Sequence, residues 1–258
     1  MNPRIEYAAQ TDVGLKRSHN EDAIALCPEN GLAILADGMG GYNAGEVASD
    51  IAINVIKQVV DEELHGFLSM LIAHKPDDLM DILVHAITAA NIAILQSALD
   101  NPQYFGMGTT LVTTLCYRTS LVVAHVGDSR GYRLRDGQLI QITHDHSVVQ
   151  EQIDAGMISA ESAQTSDIKN LVTRAVGVAI PVDVEVHHYQ LQADDVYLLC
   201  SDGLSDMLST QQLQETLQNA QLSLQEICAE LILLANQAGG RDNISVVLFK
   251  VAGLKSDV

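Results

Sequence analysis

Four aspartates sit at the edges of apolar, strand-like runs, each beside a turn: Asp37 in LAILADGMGG, Asp128 in LVVAHVGDSR, Asp202 in VYLLCSDG and Asp242 in GGRDNISVVLF. Three close a run and one opens a run. In an antiparallel sheet a strand's end and its neighbour's start share a rim, so the four carboxylates can meet at one place. Clustered carboxylates repel unless something positive holds them, and hard divalent cations do that through oxygen ligands. Taken singly, each aspartate also fits a turn residue, because Asp-Gly is a strong hairpin signal and Asp is common at strand ends. The arrangement of all four together points to a metal.

The elements that must position these residues follow one another densely. Residues 44–60 place Val47, Ile51, Val55 and Val59 at helical spacing, one face of a helix. A second amphipathic helix is expected over 77–99, with Leu79, Ile82, Leu83, Ala86, Ile87, Ala90 and Ile94 on its stripe and Pro76 at its start. Strand patterns cover 109–117 and 120–126, a hairpin. Two more, 132–135 and 138–142, flank the two-residue turn Asp136-Gly137. Residues 144–177 are mostly polar, with a short helical piece near 147–155. Strands resume at 184–191 and 196–200, helices are expected near 210–219 and 223–237, and a last strand covers 244–251. The order β, αα, β-rich, αα, β predicts sheets inside and helix pairs outside.

The chain has 258 residues, 47% hydrophobic and 18% charged, with a mean hydropathy of +0.13. That is enough to bury a sizeable core. Apolar stretches such as 191–200 are broken by acids or too short to span a bilayer, and residues 1–12 show no apolar leader; no membrane association is expected. Cys27, Cys116, Cys200 and Cys228 lie far apart without paired spacing. They are expected to be reduced core residues of a cytoplasmic protein rather than a disulfide framework. A net charge of −19 without a Lys/Arg stripe argues against nucleic acid as a partner.

Eight motifs in order carry a resemblance: TDVGLKRSHNED (11–22), LADGMGG (35–41), GMGTTLV (106–112), AHVGDSRGYRL (124–134), ITHDHSVVQ (142–150), NLVTRAVG (170–177), LLCSDGLSDML (198–208) and GGRDNISVVL (239–248). They span almost the whole chain, which resembles the protein phosphatase 2C (PPM) family of metal-dependent protein Ser/Thr phosphatases in its bacterial single-domain form. The resemblance implies an α+β fold: a four-layer α-β-β-α sandwich of two antiparallel sheets flanked by helix pairs. One domain would cover 1–258, with a flap subdomain at about 146–169. Two Mn2+ or Mg2+ ions, with a third beside them, would sit at one rim. Asp37 would bridge two ions, the Gly38 carbonyl would ligate one, and Asp202 and Asp242 would complete the second site. Glu21 would act through a bound water, and Asp22 would support the ligands from behind. Arg17 would bind the substrate phosphate through its guanidinium fork. Asp128 would share a third ion with Asp202, or else serve as a turn aspartate helped by Ser129.

The implied reaction is hydrolysis of phosphoserine or phosphothreonine by direct attack of a metal-bridging water or hydroxide. The implied partners are phosphorylated proteins, including a cognate Ser/Thr kinase that the enzyme opposes, and a monomer is expected. Arg174 is expected to be structural. His144 and His146 are expected to form hydrogen bonds rather than a soft-metal pair, and His187 and His188 to face opposite ways on a strand. One departure from the family pattern concerns the general acid: Tyr42 and Met39 stand where relatives carry histidine. A catalytically silent, phosphatase-like regulatory domain is the rival reading, and a two-metal phosphodiesterase another. The retained Asp37, Asp202 and Asp242 argue against the first, and the missing basic groove against a nuclease.

Overall fold

Alternation along β3 (Leu32–Met39) sets the architecture. Leu32, Ile34 and Ala36 pack towards helices, while Ala33 and Leu35 pack against Leu199 and Val247 of the opposite sheet. In a strand successive side chains face opposite ways, so β3 is buried on both sides and must lie inside a layered structure. The computed structural model describes residues 3–41, 44–69, 75–163, 166, 168 and 170–253. One sheet joins β2 (Asp22–Cys27), β3, β4 (Gly108–Tyr117), β5 (Ser120–Val126) and β8 (Glu185–Gln190), in the order β2-β3-β4-β5-β8. The other joins β1 (Arg4–Asp12), β6 (Arg130–Arg135), β7 (Gln138–Gln141), β9 (Val196–Cys200) and β10 (Ile244–Gly253), in the order β1-β10-β9-β6-β7. All the strand pairs are antiparallel.

Helices α1 (Ala44–Ser69) and α2 (Pro76–Asp100) cover the outer face of the first sheet. Helix α2 starts where Pro76 fixes the first turn and Asp78 accepts the Lys75 backbone N–H at 2.8 Å. By length and composition α2 could cross a membrane. Its stripe from Leu79 to Ile94 is instead fully buried against α1 and the sheet, and each such Leu or Ile contributes roughly 1.5–3 kcal/mol. Helices α3 (Val148–Asp154) and α4 (Ala160–Ala163) belong to the polar excursion. Helices α5 (Asp202–Ser205), α6 (Thr210–Leu217) and α7 (Leu224–Gln237) complete the chain, and their apolar residues cover the outer face of the second sheet. The result is the expected four-layer α+β sandwich.

Two strands escaped the sequence pattern. β1 and β2 each carry two Ala and at least one acid, and their alternation is weak; the β1 pairing with β10 over nine registered positions supplies what propensity does not. Helix α1 runs nine residues beyond 60, and the single turn α5 was not legible.

Candidate metal centre

Asp37 lies near the end of β3, directly opposite Asp22 of β2 and Thr110 of β4. Asp128 lies in the turn between β5 and β6, Asp202 heads α5 just beyond β9, and Asp242 lies two residues before β10. Asp37 thus comes from the first sheet, Asp202 and Asp242 from the second, and Asp128 from the turn that joins the two, so the rim they share spans both sheets rather than one. The proximity is electrostatic as well as topological. Asp37 is held well above the usual carboxylate range, first by burial and then by the charges of Asp22, Asp202, Asp128 and Asp242. Asp202 is raised in the same way, by burial and then by Asp128, Asp206, Asp242 and Asp22. Burial pushes Asp128 up to about 6, with Asp145 adding to the shift and Arg130 opposing it. Asp22, 8% exposed, is raised chiefly by burial, against hydrogen bonds from neighbours that include Ser201. Ser201 Oγ donates to its Oδ2 at 2.9 Å, while its Oδ1 has no partner.

The backbone allows this crowding only through glycine. A Cβ on Gly38 would fall 2.1 Å from the Gly45 carbonyl and 2.6 Å from that of Glu21, which already accepts the Gly38 N–H at 3.1 Å. A Cβ on Gly203 would fall 1.9 Å from the Asn243 carbonyl, so Gly203 lets the head of α5 close on the start of β10.

The segment carrying Arg17 and Glu21 is pinned to the same place by Asn243. Its Oδ1 accepts the Glu21 N–H at 2.8 Å, and its Nδ2 donates to the carbonyls of Val13 and His19 at 2.9 and 3.0 Å. Arg17 then reaches Asp242, donating to Oδ2 at 2.6 Å, and that bond raises its pKa above the ordinary guanidinium value. The Glu21 carboxylate lies beside Gly45, where a Cβ would be 2.8 Å from Oε1. Met39 follows on the cleft-facing side of β3, opposite Gly108. Tyr42 lies outside the described residues.

Three contributors were not legible beforehand. Asp206 stands one helical turn after Asp202, its N–H donating to the Asp202 carbonyl at 2.7 Å, and its charge reaches both Asp202 and Asp128. The i, i+4 spacing of DGLSD was the available signal. Asn243 and His125 gave none. His125, fully buried on β5, stacks on His146 with ring centroids 4.7 Å apart.

His146 Nδ1 accepts the Gly127 N–H at 3.1 Å and Nε2 faces Glu185 at 3.2 Å. His146 thus makes hydrogen bonds, while the ligand atoms of His125, His146 and Glu185 also lie within 4.8 Å of one another, a group that could hold a metal ion. His144 points elsewhere and meets Asp154 at 3.0 Å. The segment 146–169 enters and leaves beside this histidine. Thr173 N–H donates to the His146 carbonyl, Ser147 bridges Val172, and Val148 N–H donates to the Leu171 carbonyl. Arg174 braces the exit against Asp183 at 3.0 Å. Positions 164, 165, 167 and 169 of the expected flap lie outside the described residues.

The donor set suits a hard cation. It consists of carboxylates and backbone carbonyls, with no sulfur and no histidine among the clustered groups, and such oxygen sets favour Mg2+ and Mn2+. The buried Asp22 and half-buried Asp37 and Asp202 carboxylates have no ion pair among the described residues, and the unpartnered Asp22 Oδ1 marks a place where positive charge is lacking.

A family model for protein phosphatase 2C matches residues 14–244. The serine/threonine protein phosphatase PstP of Mycobacterium tuberculosis is 40% identical over 247 residues, 96% of this chain, which spans 45% of that relative's length. The serine/threonine phosphatase stp of Listeria welshimeri is 36% identical, with 93% of each chain covered. A crystal structure of the catalytic domain of PstP in complex with two manganese ions superimposes with a TM-score of 0.83 at 39% identity, covering 96% of this chain and 99% of that one.

Proposed function

The chain belongs to the protein phosphatase 2C family, and on that premise we propose that it is a metal-dependent protein phosphatase acting on phosphoserine and phosphothreonine. The observation that carries the proposal is the convergence of Asp37, Asp128, Asp202 and Asp242 into one half-buried, charge-deficient rim. A silent regulatory domain would have no use for so costly a cluster, since unpaired buried carboxylates destabilise the fold.

In this reading Asp37, the Gly38 carbonyl, Glu21 (through water), Asp202 and Asp242 would hold two ions, and Asp128 with Asp202 would hold a third. Bound there, two divalent ions would activate a water for in-line attack and balance phosphate charge. The protein's own residues set the geometry. Arg17 presents a guanidinium fork to two phosphate oxygens, giving up part of its contact with Asp242. Asn243 fixes the height of the Arg17 segment. Asp22, between Ser201 and Asp37, fixes the Asp37 carboxylate from behind. Met39 carries no proton to give the leaving oxygen, so that proton comes from solvent, from Tyr42 or from the His19 imidazole, which lies 3.6 Å from Glu21 Oε1.

Mn2+ or Mg2+ both fit the oxygen set. The segment 146–169 acts as a flap of a single domain over 1–258, and the substrates are phosphorylated proteins, among them a cognate Ser/Thr kinase. A monomer in the cytoplasm suits four buried, reduced cysteines. The test is phosphate release from a phosphothreonine peptide with Mn2+, then with excess EDTA, beside Asp37→Ala. Turnover lost with EDTA and in the variant is expected. Full activity in a folded Asp37→Ala protein would remove Asp37 from the mechanism.

A further inference from the structure

A cavity of about 150 Å3 opens beside the carboxylate rim, lined among others by Asn170, Asp202, Asp206, Met207, Arg241 and Asp242. Among the described residues Arg241 is the one cationic residue in this lining. It is exposed, and among the described residues its guanidinium makes neither an ion pair nor a hydrogen bond, although the carboxylates of Asp202, Asp206 and Asp242 line the same cavity. In a chain with 33 acidic and 14 basic residues, an arginine left uncompensated at this spot needs a reason. The neighbouring acids are directed elsewhere. Asp242 is engaged by Arg17 at 2.6 Å, and the charge of Asp206 acts on Asp202 and Asp128. With divalent ions balancing the rim, Arg241 would be the unpaired charge among the described lining residues.

We propose that this cavity is an anion subsite, in which Arg241 receives a carboxylate or a second phosphate of the substrate near the phosphoresidue being hydrolysed. The inference rests on the phosphatase reading. Arg241 adjoins Asp242, and neighbouring Cα atoms lie about 3.8 Å apart, while an extended substrate advances roughly 3.3–3.6 Å per residue. The anion is therefore carried one or two residues from the phosphoresidue. A planar guanidinium fork matches both carboxylate and phosphate oxygens.

The test uses the full chain with Mn2+ and phosphothreonine peptides carrying Gln, Glu, Lys or a second phosphothreonine at each of the two positions on either side. The wild type is expected to show a kcat/KM about tenfold higher on the Glu or doubly phosphorylated peptide than on the Gln peptide, expressed in KM. Arg241→Gln should bring that ratio to about one, and Arg241→Glu should move the preference to Lys. The Glu and second-phosphate arms distinguish the two anion sources. A wild-type ratio near one at every position, or a ratio unchanged in both variants, overturns the subsite while leaving the phosphatase reading intact. Absence of turnover on all the peptides would instead remove the phosphatase reading itself.

Discussion

Stripping the divalent ions should make this protein less stable at neutral than at mildly acidic pH, the reverse of ordinary acid denaturation. The perturbation is chelation combined with a rise from about pH 5 to about pH 7.5. Asp128 moves from 3.8 to about 6 on folding, mainly through burial. Between those values the folded chain holds the proton more tightly than the unfolded chain. Stability is therefore fully present below the unfolded value and is lost as pH rises through the folded one. About one unit of this shift lies inside the window, between pH 5 and the folded value, so at 1.36 kcal/mol per unit the loss from this group alone is about 1.4 kcal/mol. Asp22, Asp37 and Asp202 are displaced in the same direction. For a chain of this size that corresponds to a Tm drop of roughly 3–6 °C. The assay is thermal unfolding in EDTA across that window, beside Mn2+-loaded protein, which controls for general self-repulsion of a chain with net charge −19. In Asp37→Asn the metal-free drop should shrink, because one buried charge is gone. A metal-free Tm that stays flat or rises would refute the argument that burial and mutual repulsion dominate the rim.

Gly203→Ala should lower Mn2+ affinity at least tenfold by calorimetric titration with the fold retained, because its Cβ would drive into the Asn243 carbonyl between Asp202 and Asp242. Asn243→Ala removes three hydrogen bonds that seat the 13–21 segment; kcat/KM on a phosphopeptide should fall roughly tenfold or more as Arg17 loses its fixed approach. At the opposite end of β6, Arg135→Met strands the fully buried Asp195 carboxylate with only Tyr197 and the Gln192 N–H as partners. Chemical denaturation should show a loss of about 3–5 kcal/mol, with turnover of the folded enzyme unchanged.

Much of the site was legible because aspartate beside glycine at the end of a continuous apolar run is a local pattern. Strands of that kind also betray their burial, as β9 and β10 do. The hairpin at Asp136-Gly137 was legible for a similar reason: both residues adopt positive φ, 51° and 78°, which such turns demand. What stayed hidden was relational. β1 and β2 owe their strand state to registered partners rather than to alternation of their own. Asn243 looks like a turn residue until the 13–21 segment is folded over it. The partnership of His125 with His146 crosses from β5 to the entry of the flap, and nothing local marks it. Even the aspartates were read as sharing one sheet, whereas docking of two sheets is what joins them.

The paired legs at His146–Thr173, Ser147–Val172 and Val148–Leu171 bring the two ends of the excursion together before it begins. Closure entropy grows only with the logarithm of loop length, about 0.6 kcal/mol per doubling. Such a clasp makes the intervening stretch evolutionarily cheap to lengthen, shorten or replace. Change in that stretch can therefore proceed on a timescale uncoupled from the rim of aspartates, and under the proposed function a graft between the two legs would be the handle for redirecting this scaffold to a new substrate.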